Sequence, residues 1–232
     1  MKIEQTGDIN PTNSLVMIVY GKGGVGKTTF AASAPKPLLL DFENGSKYLG
    51  SRGIDIPVAR FSQWLTAEDK AQLAAVLPEY STIIIDPLGE VMEKIIESDT
   101  ISGKKYRTSD GSPTIAGWGE IKKQMRSFIK WLRDANKNVI IIAHTAEEKI
   151  GGDFVHRIQV ATKMKDEIPT MVELISYMSV QPRGEEIHHV LYTPAQDDKF
   201  SSKDRTGTVP MTVVVSEHHG WDDLMKAMGV AK

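Results

Sequence analysis

Residues 15–29 read LVMIVYGKGGVGKTT, and this segment decides the fold. Its first six residues are apolar and predict a buried strand, which runs directly into a turn of the form G-x-x-x-x-G-K-[ST]. A short helical segment follows, and Pro35 and Pro37 end it. A strand before the glycine-rich turn and a helix after it distinguish a phosphate-binding P-loop from a chance match.

Each residue type in this turn suits a triphosphate. Glycines let successive backbone N–H groups converge on phosphate oxygens, beside the positive end of the helix dipole. Lys27 adds a positive charge at the β- and γ-phosphates, and the Thr28 hydroxyl can ligate Mg²⁺. We therefore predict that ATP and Mg²⁺ bind here, and that the binding residues are Gly21, Lys22, Gly23, Gly24, Val25, Gly26, Lys27, Thr28 and Thr29.

Composition limits the remaining possibilities. The chain has 232 residues, 41% of them hydrophobic, which suits one α/β domain over residues 15–232 after a polar lead-in at residues 1–14. Having no cysteine, it cannot use thiolate catalysis or Cys-ligated zinc. A net charge of −2 means that any DNA contact comes from local loops or from aligned subunits. Since no segment reads as a membrane span or signal peptide, we expect a cytoplasmic protein without membrane contact.

A second predicted strand ends in two carboxylates, and a third ends in one. Residues 38–43 form an apolar run that ends in Asp41 and Glu43. Residues 82–86 form another that ends in Asp86, the Walker B arrangement, which holds Mg²⁺ together with the P-loop threonine. Since the carboxyl ends of parallel strands meet at the ligand edge of such a sheet, these acids are expected near the phosphates.

Pro87 directly follows the Walker B aspartate, so no catalytic glutamate occupies that position. The residue that polarises the attacking water must come from elsewhere in the chain. Glu43 is the first choice and Glu90 the second. A solvated acid or a helix cap is the alternative interpretation of Glu43.

Residues 139–143 predict a further buried strand, and it ends in His144. A polar side chain there would face the γ-phosphate and could report hydrolysis to the following loop, residues 146–153. A lone histidine is more often a satisfied structural residue, so the functional interpretation depends on this position.

Two segments are candidates for contact with single-stranded DNA. The polar segment 98–116 contains Lys104, Lys105, Tyr106 and Arg107, and cations beside an aromatic residue can bind phosphates and stack a base. Residues 146–158 contribute Lys149, His156 and Arg157. A solvated charge run is at least as good an explanation of the first segment.

The last third of the chain is predicted to be rich in strands, at residues 154–161, 175–181, 187–193 and 211–216, with a helix near residues 166–174 and another at 221–228. Between the last two strands lies a polar loop with Lys203 and Arg205. In an extended chain this spacing points both cations the same way, towards a shared phosphate, although an exposed loop explains the composition equally well.

In this order the motifs resemble those of the RecA-like ATPases, most closely the short phage-encoded members. The resemblance implies a mainly parallel sheet flanked by helices, with a β-rich C-terminal part in the same sheet. It implies that Glu43 is the catalytic glutamate, that His144 lies at the γ-phosphate sensor position, and that Lys203 and Arg205 reach a neighbour's ATP in a ring or filament. It also implies DNA-dependent ATP hydrolysis, annealing or strand exchange of single-stranded DNA in phage recombination, and a single-stranded DNA-binding protein as a partner.

Residues 22–29 also fit the deviant Walker motif of the ParA/MinD class, in which the first lysine crosses a dimer. Those proteins usually have a longer first helix and an Asp-x-Asp strand end, whereas here Pro35 ends the helix and the strand ends Asp-x-Glu. A partition-type ATPase is therefore the second hypothesis. A nucleotide-gated binding protein with little turnover is the third, and a small-molecule kinase is less favoured because no acceptor pocket or lid is evident.

Overall fold

The computed structural model describes residues 15–161, 164–184, 186–193 and 199–230, so the expected lead-in at residues 1–14 lies outside the described residues. The strands within the described residues are β1 Val16–Gly21, β2 Pro37–Asp41, β3 Val58–Arg60, β4 Thr82–Asp86, β5 Asn138–Ile150, β6 Asp153–Ile158, β7 Leu174–Arg183, β8 Glu186–Tyr192, β9 Lys203–Asp204 and β10 Thr212–Val215. They pair in the order β10-β8-β7-β1-β5-β4-β2-β3, with β6 beside β5 and β9 beside β7.

The central part of this sheet is parallel. Strand β1 pairs in parallel with β5 and β7, β4 with β5 and β2, and β2 with β3. Strands β8 and β10 extend the sheet in antiparallel fashion, and β6 and β9 are also antiparallel to their partners. The predicted α/β fold class is confirmed: a mainly parallel sheet flanked by helices, whose C-terminal strands continue the same sheet.

In the part of the chain that the structure describes, five α-helices cover the two faces of the sheet: α1 Lys27–Ala32, α2 Ala67–Val76, α3 Leu88–Glu97, α4 Ile115–Asp134 and α5 Gly220–Ala227. Ile18 in β1 joins a core with buried residues of α2, α3 and α4, whereas Met17 and Val19 join a second core with α1 and α5. A strand that is covered on both faces buries all of its side chains, so its apolar residues do not alternate with polar ones. This explains the continuous apolar run at residues 15–20. No helix in the described ranges has both the length and the apolar character needed to cross a membrane.

The register of the parallel strands brings their functional ends to one edge. Gly21 in β1 lies opposite His144 in β5, and Asp41 in β2 lies opposite Asp86 in β4. Strand β5 separates β1 from β4 in the sheet. The P-loop and the Walker B aspartate therefore reach each other across the end of an intervening strand.

Strand β5 is much longer than the predicted strand at residues 139–143, and residues 146–153 are not the loop that we expected. From Thr145 to Ile150 the strand pairs with β6, forming a hairpin that turns at Gly151 and Gly152, both with positive φ. Residues 144–150 are mostly polar and are exposed or partly exposed, so they lack the apolar pattern of a buried strand. They form a strand because β6 supplies hydrogen bonds, which the sequence pattern does not reveal.

Three other element predictions need correction. The expected helix near residues 166–174 is only a 3₁₀ turn, Ile168–Met171, followed at once by β7. Helix α3 was not predicted, although its buried residues Leu88, Val91, Met92 and Ile95 have helical spacing. Helix α4 begins at Ile115, inside the predicted loop at residues 98–116.

Gly21 lies where β1 passes closest to β7. A Cβ atom added at Gly21 would lie 2.3 Å from the backbone oxygen of Met178, and backbone cannot move away as a flexible side chain can. Gly23, two residues further into the same loop, has open space around it. We predict that Gly21→Ala lowers the free energy of unfolding by about 1–3 kcal/mol through overpacking.

Urea unfolding of the purified variants tests this prediction. Gly23→Ala is the matched control, since it makes the same chemical change in the same loop and is expected to stay within about 0.5 kcal/mol of the wild type. Equal stabilities of the two variants would show that β1 and β7 are not packed as closely as described.

Candidate functional site

The P-loop, residues 21–28, has the backbone geometry that phosphate binding requires. Gly24 and Gly26 have φ angles of 78° and 93°, in the left-handed region that only glycine adopts at little cost. Gly26 is the N-cap of α1. Since glycine has no side chain, it cannot cap the backbone N–H groups of the first helical turn. The loop therefore leaves backbone N–H groups available to an anion, and the binding of phosphate by residues 21–29 stays a prediction.

Lys27 is buried within this loop. Its Nζ atom donates hydrogen bonds to the carbonyl oxygens of Gly21, at 3.0 Å, and Lys22, at 2.8 Å. Burial lowers the pKa of Lys27, and the negative charges of Asp86 and Glu43 partly oppose that shift. The ammonium group is thus held inside the loop by acceptors that a phosphate oxygen could replace.

Thr28 and Asp86 form a pair of oxygen donors at the start of α1. The Thr28 hydroxyl donates to Asp86 Oδ2 at 2.8 Å. Burial raises the pKa of Asp86 to about 6, and the hydrogen bond from Thr28 partly opposes the shift. Hydroxyl and carboxylate oxygens are ligands that Mg²⁺ prefers, and a bound cation would compensate the buried charge, so this pair fits the predicted metal.

Glu43 and His144 approach each other above the same edge of the sheet. Glu43 Oε2 lies 3.9 Å from His144 Nε2, and both side chains are partly exposed. The Asp41 carboxylate accepts hydrogen bonds from the backbone N–H groups of Glu43, Gly45 and Ser46, which fixes the loop that carries Glu43. Asp41 therefore organises this loop.

The charge of Glu43 acts on both Lys27 and Asp86. Glu90, the second choice for the catalytic glutamate, lies in the first turn of α3. Among the described residues it is not one of the groups whose charge shifts the pKa of Lys27 or Asp86. Electrostatic contact with Lys27 and Asp86 is therefore found for Glu43 and not for Glu90, so Glu43 remains the first choice for the catalytic acid.

Lys22 forms an ion pair with a residue that sequence analysis did not identify. Its Nζ atom lies 2.7 Å from Glu147 Oε1 in the β5–β6 hairpin. Hydrogen bonding within this pair raises the pKa of Lys22 and lowers that of Glu147. The pair borders an open cavity of about 400 Å³, which is also lined by His144 and Gln159. Glu147 is 125 positions from Lys22 in the sequence, and no local pattern marks it.

Lys203 and Arg205 do not share one environment as their spacing suggested. Lys203 Nζ is half-buried and donates to the carbonyl oxygens of Pro169 and Val172, the second at 2.7 Å. Its ammonium is thus engaged within its own chain, which differs from the expected role of reaching a neighbour. Arg205 has an exposed side chain, and its backbone N–H bonds to the carbonyl oxygen of Glu173.

The segment with Lys104, Lys105, Tyr106 and Arg107 is folded onto the protein. The guanidinium of Arg107 donates to three backbone carbonyls, those of Ile96, Ile101 and Gly111, so this residue holds the segment together. Tyr106 packs against the core, and Lys105 Nζ lies 4.9 Å from the centre of its ring. Lys104 and Lys105 are the exposed cations of this segment.

His156 is inside an aromatic stack and is not displayed on the hairpin as expected. Its ring lies nearly parallel to those of Tyr177, with centroids 4.8 Å apart, and Phe200, 5.6 Å apart. Burial lowers the pKa of His156. Arg157 is half-buried beside it, whereas Lys149 is exposed.

Phe154 is an exposed aromatic residue that was not among the candidate residues predicted from the sequence. Its side chain is 62% exposed, and it lies directly across the hairpin from Lys149. The hairpin therefore presents an aromatic ring and a cation side by side near its tip. The pairing of residues 145–150 with 153–158 is what reveals this combination, and it was not predicted.

Comparisons with known proteins place these features in a family context. A family model described as an AAA domain matches residues 13–206. A curated relative, the SPbeta prophage-derived uncharacterized protein YorG of Bacillus subtilis (strain 168), is 27% identical over 139 residues. That match covers 59% of this chain, and the chain spans only 42% of the relative's length.

Two solved structures are similar to most of this chain at low sequence identity. A KaiC-like protein from Pyrococcus horikoshii OT3 is 12% identical, with a TM-score of 0.48 and coverage of 88% of this chain and 87% of that chain. The flagellar accessory protein FlaH from Methanocaldococcus jannaschii is also 12% identical, with a TM-score of 0.46 and coverage of 90% and 88%.

The raised pKa of Asp86 makes stability depend on pH. Because the folded protein holds a proton on Asp86 more tightly than the unfolded chain does, this residue lowers stability as pH rises from about 4 to 6. We predict that Asp86→Asn raises the free energy of unfolding above pH 6 by on the order of 3 kcal/mol in chelator-containing buffer, and has little effect below pH 4.

Urea unfolding at pH 4 and pH 8 measures this difference. Asp41→Asn is the control, since Asp41 is also an aspartate at a strand end but is buried and accepts three backbone hydrogen bonds. That variant is expected to be less stable than the wild type at pH 8. An Asp86→Asn variant that is no more stable at pH 8 would contradict the description of Asp86 as a buried carboxylate.

Proposed function

Because this chain belongs to the AAA domain family, we propose that it is a Mg²⁺-dependent ATPase that binds single-stranded DNA and promotes annealing or strand exchange in phage DNA recombination. The observation that supports hydrolysis best is the convergence of Lys27, the Thr28–Asp86 pair and Glu43 at one edge of the sheet. These groups supply a phosphate-binding cation, oxygen ligands for Mg²⁺ and a carboxylate for water.

In this proposal each residue of the site has one task. Lys27 and the loop amides bind the triphosphate, and Thr28 and Asp86 hold Mg²⁺, which neutralises phosphate charge when bound. Glu43 accepts a proton from the water that attacks the γ-phosphorus, while the bond to the β-phosphate oxygen breaks and ADP leaves. His144, 3.9 Å from Glu43, lies where it could respond to loss of the γ-phosphate.

We further propose that the active assembly is a homo-oligomer, a ring or filament with ATP at the subunit interfaces. Arg205 is the group that would reach a neighbour's phosphates, because its side chain is exposed. Lys203 is not proposed to contact a neighbour's ATP, since its ammonium donates hydrogen bonds to the carbonyl oxygens of Pro169 and Val172. An arginine finger supplied in this way can be worth about 10³–10⁵ in rate.

The prophage origin of the relative supports a role in phage DNA metabolism, with the match limited to part of that protein. For DNA we propose the tip of the β5–β6 hairpin, where Phe154 could stack a base and Lys149 could pair with a phosphate. Lys104 and Lys105 are exposed, so they could add a second cationic contact with the DNA phosphates. A single-stranded DNA-binding protein is the proposed partner, and the host cytoplasm the proposed location.

Mixing two inactive variants tests the shared site. Glu43→Gln lacks the proton acceptor and Arg205→Ala lacks the finger, so each alone should lose at least about 10²-fold in ATPase rate. In an equal mixture, interfaces that pair an intact Glu43 with an intact Arg205 should restore about a quarter of the wild-type rate, if subunits exchange at random. Steady-state phosphate release measures this recovery.

The control mixture combines Glu43→Gln subunits with Lys203→Ala subunits, and Arg205 is intact in both. Lys203→Ala alone should keep its ATPase rate, because the amine bonds within its own chain. Absence of recovery in assemblies shown to contain both variants would contradict a finger acting between subunits.

The hairpin predicts a specific salt dependence of DNA binding. Lys149→Ala should reduce the slope of log affinity against log salt by about 0.7, the value for one lost phosphate contact on a single strand. Phe154→Ala should weaken binding without changing the slope, because stacking is not an ionic contact. Fluorescence anisotropy with a labelled oligothymidine at several salt concentrations measures both.

Lys130→Ala is the matched control, because Lys130 is an exposed lysine on α4 and not on the hairpin. It should leave both affinity and slope unchanged. If Lys149→Ala and Lys130→Ala have the same effect, the hairpin is not the DNA-binding element.

A further inference from the structure

A second cavity borders the P-loop on the side away from His144. It has a volume of about 290 Å³, and the residues of its lining that matter here are Thr29, Phe30, Arg52, Met178, His189 and Glu217. Gly24 and Gly26 form its border with the P-loop. The proposed function does not yet use this cavity. It assigns the phosphates to the P-loop, Mg²⁺ to Thr28 and Asp86, and the attacking water to Glu43.

The order of groups along the P-loop indicates which part of a nucleotide this cavity faces. Lys27 and Thr28 serve the β- and γ-phosphates, and Glu43 and His144 lie beyond them on the terminal side. Thr29, one residue after the metal-binding hydroxyl, lines the second cavity and not the cavity beside His144. A nucleotide bound with its γ-phosphate near Glu43 would therefore extend its nucleoside towards His189.

The hydrogen bond of His189 determines what its ring can offer to a ligand. His189 Nδ1 lies 2.9 Å from the carbonyl oxygen of Val25 in the P-loop. A carbonyl oxygen can only accept, so Nδ1 carries the hydrogen, and in the neutral ring Nε2 is left as an acceptor. Because the ring lines the cavity, Nε2 can accept a hydrogen bond from an N–H group of a ligand there.

The contact with the P-loop also fixes the position of this ring. A Cβ atom at Gly26 would lie 3.1 Å from His189 Nδ1, so the ring packs directly against the glycine that ends the loop. The side chain of His189 would thus contact both the base of a nucleotide and the loop that binds its phosphates.

We infer that this cavity binds the nucleoside half of the nucleotide, and that His189 favours bases with an exocyclic amino group, as in adenine, by accepting a hydrogen bond from that group. The inference rests on the proposed function, because it takes the phosphates to be bound at Lys27. His189 is then a specificity-determining residue. A base with a carbonyl oxygen in place of the amino group would set two acceptors against each other.

Matched nucleotides that differ at this group test the inference. Isothermal titration of the full chain with Mg²⁺ and ATP, ITP, CTP or UTP compares two amino-bearing bases with their oxo counterparts. Loss of one hydrogen bond should make ITP bind about 3- to 10-fold more weakly than ATP, and UTP more weakly than CTP. Inorganic tripolyphosphate serves as a ligand without a base.

Substitutions then assign the preference to one side chain. His189→Leu should bind ATP and ITP equally, whereas His189→Gln, whose amide can both donate and accept, should keep part of the preference. His188→Leu is the matched control: it is the adjacent histidine on β8, outside the cavity lining, and it should keep the full preference. Tripolyphosphate should bind all of these proteins with the same affinity.

A second variant keeps the test decisive if His189→Leu does not fold. Glu217 is exposed at the cavity, so Glu217→Trp would obstruct the cavity without disturbing the core. It should weaken ATP binding at least about 10-fold and leave tripolyphosphate binding unchanged, because it removes only the contacts of the nucleoside.

The outcomes separate the two proposals. Equal affinity of the wild type for ATP and ITP, or a preference that survives in His189→Leu, would overturn the role of His189. Unchanged ATP binding by Glu217→Trp would overturn the cavity as the nucleoside site. Failure of the wild type to bind either ATP or tripolyphosphate would instead contradict the proposed function.

Discussion

The hydrogen bond from Thr28 to Asp86 is the interaction on which the site depends. It joins residues 58 positions apart, at the start of α1 and the end of β4, across the end of the intervening strand β5. Removing either partner would leave a partly buried polar group without its bond, and an unsatisfied carboxylate is costly in such a place. One contact therefore joins the P-loop to the sheet and also brings together two oxygen atoms that could ligate a cation.

Two acids at and after the end of β2 have different surroundings. Asp41 is buried, and its carboxylate bonds to three backbone N–H groups of the loop that follows. Those bonds hold the loop in place, so Glu43 can remain partly exposed and close to His144. Of the two acids in this short motif, Asp41 faces the interior and shapes the loop, whereas Glu43 stays at the surface, as its proposed catalytic role requires.

The β5–β6 hairpin connects the phosphate side of the sheet with the C-terminal part of the chain. Its Glu147 pairs with Lys22 in the P-loop, and its His156 stacks against Tyr177 and Phe200. A rigid strand that runs from the core at residue 138 to the tip at residue 150 joins these contacts. A change in charge at the P-loop would thus act on an element that is packed against a distant segment of the sequence.

The sequence alone determined the fold class, the P-loop, the Walker B strand and the edge of the sheet where they meet, because these depend on local pattern: apolar runs, glycines and residues at strand ends. It predicted neither the hairpin nor the separate environments of Lys203 and Arg205, and it gave no sign of Glu147 or His189 near the P-loop. Those features depend on strand pairing and on which carbonyl or ring lies opposite each side chain. Only the tertiary structure decides them, since the partners are distant in the sequence and carry no motif of their own.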